Sequence, residues 1–284
     1  MKENATVAVV VPVYERPEKI HRFIPQFLSQ TFENLMIVVV DHGRRHVDYS
    51  AFDDPRLVVL RENSELWWTG AVNRGVEYAL RRIAPSGFIL VINDDVQVDD
   101  TYVQSLVELG AAHPDSIVGS VSVDECSGEV LSASFSLNRL KAKFVPAYYK
   151  RMLHEVPNAC LCSDILPGRG MLVPARVFAA VGLFLEEALP HYGADNEFSY
   201  RARRAGYPLL VSKRCVVRTG KPVHAAPQGG RWRRIRYHLF GIKSKGGLPS
   251  LIVLSRLYFR PPYWLYYFLV NAIVKVLATA KHCR

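Results

Sequence analysis

Phe88-Ile89-Leu90-Val91-Ile92-Asn93-Asp94-Asp95 is the stretch on which the fold turns. Five apolar residues, three of them β-branched, run without polar alternation. That is the pattern of a strand covered on both faces. The run stops in an amide and two carboxylates. Carboxylates at the end of a buried strand are costly unless something pairs with them. Two readings follow from the residues alone. In one, a divalent cation bridges these oxygens and a diphosphate, oxygen ligands selecting Mg²⁺ or Mn²⁺. In the other, Asn93 and Asp94 simply cap backbone groups in an acidic turn.

Outward from that stretch the pattern repeats. Residues 7–14 and 36–40 are further continuous apolar runs, the second ending in Asp41-His42-Gly43, and residues 57–60 make a shorter one. Between them, Ile20, Phe23, Ile24, Phe27 and Leu28 recur at helical spacing and predict a helix over 17–30. Pro17 suits its first turn, and Pro25 is expected to kink or split it. Residues 70–83 read as a second helix. Strand–helix alternation of this kind predicts parallel pairing in a doubly wound α/β sheet. Ligands of such sheets lie beyond the C-terminal strand ends, where Tyr14, Asp41 and Asp95 fall. Toward the C-terminus, 117–123 and 129–135 are expected as strands around a hairpin at Ser127-Gly128. Residues 138–164 read as loop or short helices over the site, and long loops in compact domains are often functional. A strand over 165–174, a helix to 181, a helix over 195–205 and a short strand over 209–212 complete the body.

Charge is unevenly placed along the 284 residues. From Phe198 to Arg284 there are 18 Lys and Arg and no acid, while the preceding stretch carries all 26 acids against 18 bases. An acidic body joined to a cationic end suits an anionic partner. Five cysteines without framework spacing argue against disulfides and for a reducing compartment, and Cys160-x-Cys162 lacks the partners of a zinc site. Residues 7–13 follow a charged start with no small-residue cleavage site, so the chain is expected in the cytoplasm.

Five motifs taken together carry a resemblance: Val11-Pro12-Val13-Tyr14, Val39-Val40-Asp41, Trp67-Trp68-Thr69-Gly70-Ala71-Val72-Asn73-Arg74-Gly75, Asn93-Asp94-Asp95 and Gly193-Ala194-Asp195-Asn196-Glu197-Phe198. In this order and spacing the chain resembles glycosyltransferase family 2, inverting enzymes of the GT-A fold, over about residues 5 to 215. The segment 67–75 is similar to rhamnosyltransferase-like and galactofuranosyltransferase-like members. The resemblance implies a Rossmann-like mixed sheet flanked by helices and a nucleotide-sugar co-substrate. It implies that Pro12, Tyr14 and Glu15 line the nucleotide pocket and that Asp41 bonds the base. It implies that Asn73, Arg74, Asn93 and Asp94 hold the nucleotide and its phosphates, with Trp68 stacking and Gly170 in a sugar-side wall built from Gly168-Arg169-Gly170. Asp95 would be the metal ligand, with His224 a further one. Asp195 would be the general base, Glu197 a substitute. Here Asn93 replaces the commoner Asp, and Ala194 the commoner Glu.

The basic, aromatic stretch 231–238 opens a C-terminal extension, so the chain divides into a transferase domain over 1–230 and a helical extension over 231–284. If 263–280 is helical, Tyr263, Tyr267, Asn271, Lys275 and Thr279 form one polar stripe. A central Lys in a spanning helix costs about 2.5–3.5 kcal/mol. A helix lying in the membrane plane, its stripe toward water or headgroups, is therefore expected. The extension carries no nucleic-acid-binding module, and a homo-oligomer is left open. The activity expected is sugar transfer from a UDP- or dTDP-sugar to a lipid-linked or glycan acceptor in cell-envelope polysaccharide assembly, on the inner face of the membrane. A sugar-1-phosphate nucleotidyltransferase would need a Gly-rich loop that 12–17 lacks. A non-catalytic membrane or nucleic-acid adaptor would leave Asp95 and Asp195 without a role.

Overall fold

The computed structural model describes residues 6–220 and 230–282. Twelve strands occur among them: β1 Val7–Val13, β2 Leu35–Asp41, β3 Leu57–Arg61, β4 Phe88–Val91, β5 Val96–Gln97, β6 Ile117–Asp124, β7 Val130–Ser132, β8 Phe135–Asn138, β9 Lys143–Pro146, β10 Leu161–Cys162, β11 Met171–Pro174 and β12 Leu209–Thr219. The helices are α1 Pro17–Leu28, α2 Trp67–Leu80, α3 Tyr102–Ala112, α4 Ala175–Val181, α5 Ala194–Arg204, α6 Arg231–Phe240, α7 Leu248–Tyr258 and α8 Tyr263–His282.

The main sheet runs β10-β12-β6-β11-β4-β1-β2-β3, with β5 added to β12 and β7 to β6. Pairs β1–β2, β1–β4, β2–β3 and β6–β12 are parallel. Strand β11 enters antiparallel between β4 and β6, so the sheet is mixed rather than wholly parallel. This reversal matters for the site. Met171 lies opposite Val91, so the residues just before β11, Gly168-Arg169-Gly170, arrive at the edge where β4 delivers Asn93-Asp94-Asp95.

The unbroken apolar runs are explained by cover on both faces. Val10, Val38, Val40, Ile89 and Val91 pack with Ala71, Val72, Val76 and Ala79 of α2 on one side. Val9, Val11, Ile37, Val39, Leu90 and Ile92 pack with Ile20, Phe23, Ile24 and Phe27 of α1 and Leu106 of α3 on the other. Each fully buried aliphatic or aromatic side chain contributes about 1.5–3 kcal/mol.

Several expectations need revising. Helix α1 stays continuous through Pro25. Helix α3 was not foreseen, because half-buried Val107 and Leu109 blur the stripe of Tyr102, Val103, Leu106 and Gly110. Strand β12 runs through Thr219 with a register shift between Ser212 and Val216. The polar Lys213-Arg214 inside it hid its length. Residues 138–164 hold strands as well as loop and one short helical turn: β9 pairs with β8 as a small antiparallel sheet that seats the C-terminal extension, and β10 joins β12.

That seat reverses the expected orientation of α8. Its polar stripe faces the protein. Asn271 Nδ2 donates to Ala142 O at 2.6 Å, Lys275 Nζ to Lys245 O at 2.8 Å, the Tyr263 hydroxyl to Arg139 O, and Tyr267 and Thr279 are buried. Leu265, Leu269, Ile273, Val274, Val276 and Leu277 are exposed instead. A hydroxyl, amide or ammonium finds backbone carbonyls to bond at this surface, which an apolar side chain cannot use. Helix α7 ties the extension to the body: Tyr200 Oη donates to Tyr258 O at 3.2 Å, and Leu254 packs into the core around α5.

Candidate active site

At the end of β4 the two carboxylates are incompletely partnered. Arg16 Nη1 donates to Asp94 Oδ1 at 3.1 Å and lies 3.8 Å from Asp95 Oδ2, with Lys19 Nζ 3.9 Å from that same oxygen. The other oxygens, Asp94 Oδ2 and Asp95 Oδ1, are buried and have no hydrogen-bond partner. Burial, helped by the charge of Asp95, pushes the Asp94 carboxyl up to about 6 against the pull of Arg16. Buried oxygens without donors on two consecutive carboxylates fit a divalent cation, which takes one or two carboxylates and completes its shell with phosphate and water. Among the described residues no group of three or more His, Cys, Asp or Glu gathers as an all-protein metal cage, so such an ion would depend on the diphosphate it binds.

From this acidic edge a chain of contacts leads to Asp195. Trp68 Nε1 donates to Asn93 Oδ1 at 2.9 Å. The Trp68 ring lies so close to Gly168 that a Cβ there would sit 2.8 Å from Cζ2 and 3.5 Å from Asp195 Cβ. Gly168 N donates to Asp195 Oδ2 at 2.8 Å, and Asn196 N to Oδ1 at 2.9 Å. Asp195 stands in the first turn of α5, where two backbone N–H groups and the helix dipole hold its ionised form. Burial outweighs these, raising its carboxyl above the usual range, while nearby Arg169 pulls it down. A half-buried carboxylate of raised basicity, fixed by two donors, is suited to accept a proton.

A third wall is aromatic. Tyr14 stands 5.3 Å from His42 by ring centroids, Trp67 5.9 Å from His191, and His191 4.6 Å from Tyr192. Burial lowers both His42 and His191 to about 4, so the imidazoles are neutral at pH 7. Glu15 and Trp67 hold left-handed backbone at φ +49° and +52°, a strained conformation for non-glycine residues.

Other expected contacts are spent within the chain. Asp41 is buried, with Oδ1 accepting from Gly43 N at 3.2 Å and Oδ2 from Val47 N at 2.7 Å and Tyr49 Oη at 3.2 Å. It organises loop 42–49. Asn73 likewise is buried and saturated: Nδ2 donates to Phe184 O and Glu186 Oε2, and Oδ1 accepts from Phe184 N. One helical turn earlier, Thr69 Oγ1 donates to Leu189 O at 2.6 Å. The 67–75 motif therefore clamps residues 184–190, the segment leading into Asp195. Arg74 pairs with Glu77 at 3.1 Å along α2. Glu15 accepts from Arg44 N at 3.1 Å, and Pro12 is buried within β1. Gly170 is packed rather than lining the crevice: its φ is +87° and a Cβ would collide with Tyr102 Oη and Ser120 Oγ. Glu197 is buried and bonded by Arg201 Nε at 2.8 Å and Nη2 at 3.1 Å. His224 lies outside the described residues.

The structure adds Arg16, Lys19, His42, His191 and Tyr192, which no spacing in the sequence marked because they come from three distant stretches, the start of α1, the loop after β2 and the loop before α5.

Fold and site together define a mixed-sheet α/β protein with an acidic edge at its C-terminal strand ends. The family model described as "Glycosyl transferase family 2" matches residues 8–161. The chain belongs to that family. A glucosyl-dolichyl phosphate glucuronosyltransferase of Haloferax volcanii is 31% identical over 131 residues, 42% of this chain and 39% of that protein. An uncharacterized glycosyltransferase of Rickettsia felis is 25% identical over 192 residues, 65% of this chain and 29% of that protein. The chain thus matches less than half the length of these curated relatives. Among solved structures, GalNAc-T7 with UDP, GalNAc and Mn²⁺ superposes with a TM-score of 0.64 at 16% identity, covering 94% of this chain and 50% of that one. The mannosyltransferase PcManGT of Pyrobaculum calidifontis, in complex with GDP-Man and Mn²⁺, gives 0.57 at 16% identity, covering 99% and 74%. These likenesses show the GT-A fold.

Proposed function

We propose that this chain transfers a sugar from a nucleoside-diphosphate sugar, UDP- or dTDP-linked, with inversion at the anomeric carbon. The acceptor hydroxyl belongs to a lipid-linked or glycan substrate of cell-envelope polysaccharide assembly, and the rhamnosyl or galactofuranosyl subtype rests on residues 67–75. The observation that carries the reading is the pair of unmet oxygens on Asp94 and Asp95, connected through Asn93, Trp68 and Gly168 to Asp195.

Asp195 acts as general base. It takes the acceptor hydroxyl's proton as that oxygen bonds to the anomeric carbon, while the bond to the donor's phosphate oxygen breaks and the nucleoside diphosphate leaves. Gly168 N and Asn196 N orient the carboxylate, and its burial raises its basicity. Asp94 and Asp95 would hold Mg²⁺ or Mn²⁺, which when bound neutralises charge on the departing diphosphate. Tyr14, His42, Trp67 and His191 form an apolar-walled mouth suited to a nucleoside.

Peripheral attachment to the cytoplasmic face of a membrane is supported by α8. It is the one described helix long and apolar enough to cross a bilayer, yet its polar stripe is spent on the protein and its apolar side is open. An in-plane seat in an anionic bilayer buries that side and engages the basic residues of α6, each contributing about 1 kcal/mol near the surface.

Nucleotide release over UDP-, dTDP- and GDP-sugars, with Mn²⁺ and with chelator, tests the chemistry. Metal-dependent release from one donor, lost in Asp95→Asn and Asp195→Asn, is expected; failure to bind or cleave any donor would overturn it. Flotation with phosphatidylglycerol vesicles tests the attachment, and Ile273→Glu should weaken it.

A further inference from the structure

The turn between α6 and α7 reaches back to the crevice. Lys243 is exposed there, its ammonium 5.4 Å from the centroid of the Tyr14 ring and 5.5 Å from that of Trp67. Its surroundings are unlike those of the other cations at this mouth. Arg16 and Lys19 lie against Asp94 and Asp95. Among the described residues, Lys243 faces rings and no carboxylate. Beside it are His42 and His191, whose protonation its charge opposes. Both imidazoles also carry a buried Nδ1 with no hydrogen-bond partner. An ammonium, two neutral imidazoles and two aromatic faces thus gather in one region.

The turn is built to hold the lysine in place. Tyr237 Oη donates to Lys243 O at 3.4 Å, Ser244 N to Gly241 O at 2.9 Å and Gly247 N to Ser244 O at 3.0 Å. The buried Ser244 hydroxyl donates to His238 O. From α8, Lys275 Nζ donates to Lys245 O at 2.8 Å. Position costs conformational entropy for a long side chain, and a turn fastened at these points lowers that cost.

We propose that the C-terminal extension completes the donor site, with Lys243 binding the diphosphate of the nucleoside-diphosphate sugar. The proposal rests on the donor reading above and extends it to a residue outside the family-matched segment 8–161. An ammonium has three donors and no acceptor, and it binds phosphate as a compact point charge. The resting contact with Tyr14 and Trp67 holds the charge at the mouth by cation–π attraction. Arg16 and Lys19 offset the carboxylates in the same crevice, whereas Lys243 lies against the rings of Tyr14 and Trp67 and stays available to an anion.

The test is calorimetric titration of the full chain with UDP, dTDP and GDP in the presence of Mn²⁺, and with the corresponding nucleosides. Lys243→Gln is expected to weaken the tightest-binding nucleoside diphosphate by roughly tenfold or more and to flatten its salt dependence. Affinity for the matching nucleoside should be unchanged. Lys243→Arg should restore most of the loss, and Lys245→Gln, in the same turn, should cause none. Unchanged diphosphate affinity in Lys243→Gln would overturn the proposal. So would equal losses for nucleoside and diphosphate, which would mark a contact to the base or a damaged turn. Wild-type protein that binds none of the three diphosphates would instead remove the donor reading itself.

Discussion

Strands β2 and β4 flank β1, both run parallel to it, and both end in buried carboxylates, but the two ends are finished differently. After β2, Asp41 receives donors on both oxygens from its own loop. After β4, Asp94 and Asp95 each keep one buried oxygen without a donor. The first carboxylate builds structure, because its desolvation is offset within the fold. The second pair carries an uncompensated cost, which a cation would offset. Sequence position alone makes the two sites look alike, and hydrogen-bond accounting separates them.

This contrast can be broken by experiment. The largest effect is expected at Asp195, which the acidic edge reaches through Trp68. Asp195→Asn should lower turnover by about 10²–10⁴-fold with the donor still bound, measured as steady-state nucleotide release. In the wild type, the folded carboxyl sits above its ordinary value. The base form is therefore lost as pH falls through that raised value. kcat/KM should decline on the acid side at a higher pH than a solvent-exposed Asp would give.

Next comes Asp95→Asn, which removes charge from the unmet pair. Mn²⁺ affinity by calorimetry should fall by about 10–100-fold, as for changes around metal ligands generally, while the thermal unfolding midpoint hardly moves. Asp41→Ala should do the reverse. Stranding Gly43 N, Val47 N and Tyr49 Oη costs about 1–3 kcal/mol for each donor left unmet, read by chemical denaturation, with Mn²⁺ affinity preserved. If Asp41→Ala abolished metal binding and left stability intact, the distinction between the two strand ends would collapse.

The smallest effect sharpens the comparison from within α2. Asn73→Ala leaves Phe184 N without its acceptor, while Phe184 O keeps Glu186 N, and should cost about 1–3 kcal/mol. Because it loosens the segment leading to Asp195, turnover should drop more than donor affinity in the same variant.

The acidic edge was legible before the structure, because Asn93-Asp94-Asp95 closes an apolar run, whereas Asp195 was marked only by the resemblance. The internal partners of Asp41, Asn73 and Gly170 were not legible, since the same residue types serve ligands and turns alike. Only their partners, Val47, Phe184 and Ser120, decide which, and these lie at unrelated distances along the chain. The stripe on α8 was legible as a stripe, but which way it faced depended on the carbonyls of Arg139, Ala142 and Lys245.

The sequence by itself determined the central strands of the main sheet, most helices and the placement of acids at strand ends, because burial on both faces demands unbroken apolar runs and carboxylates must then stand at their ends. Tertiary structure alone decided which polar groups are already satisfied. It also brought Lys243 beside Tyr14 and Trp67 across more than half the chain. Hydrogen bonds and charge act over a few ångströms of space, and only the folded chain sets those distances.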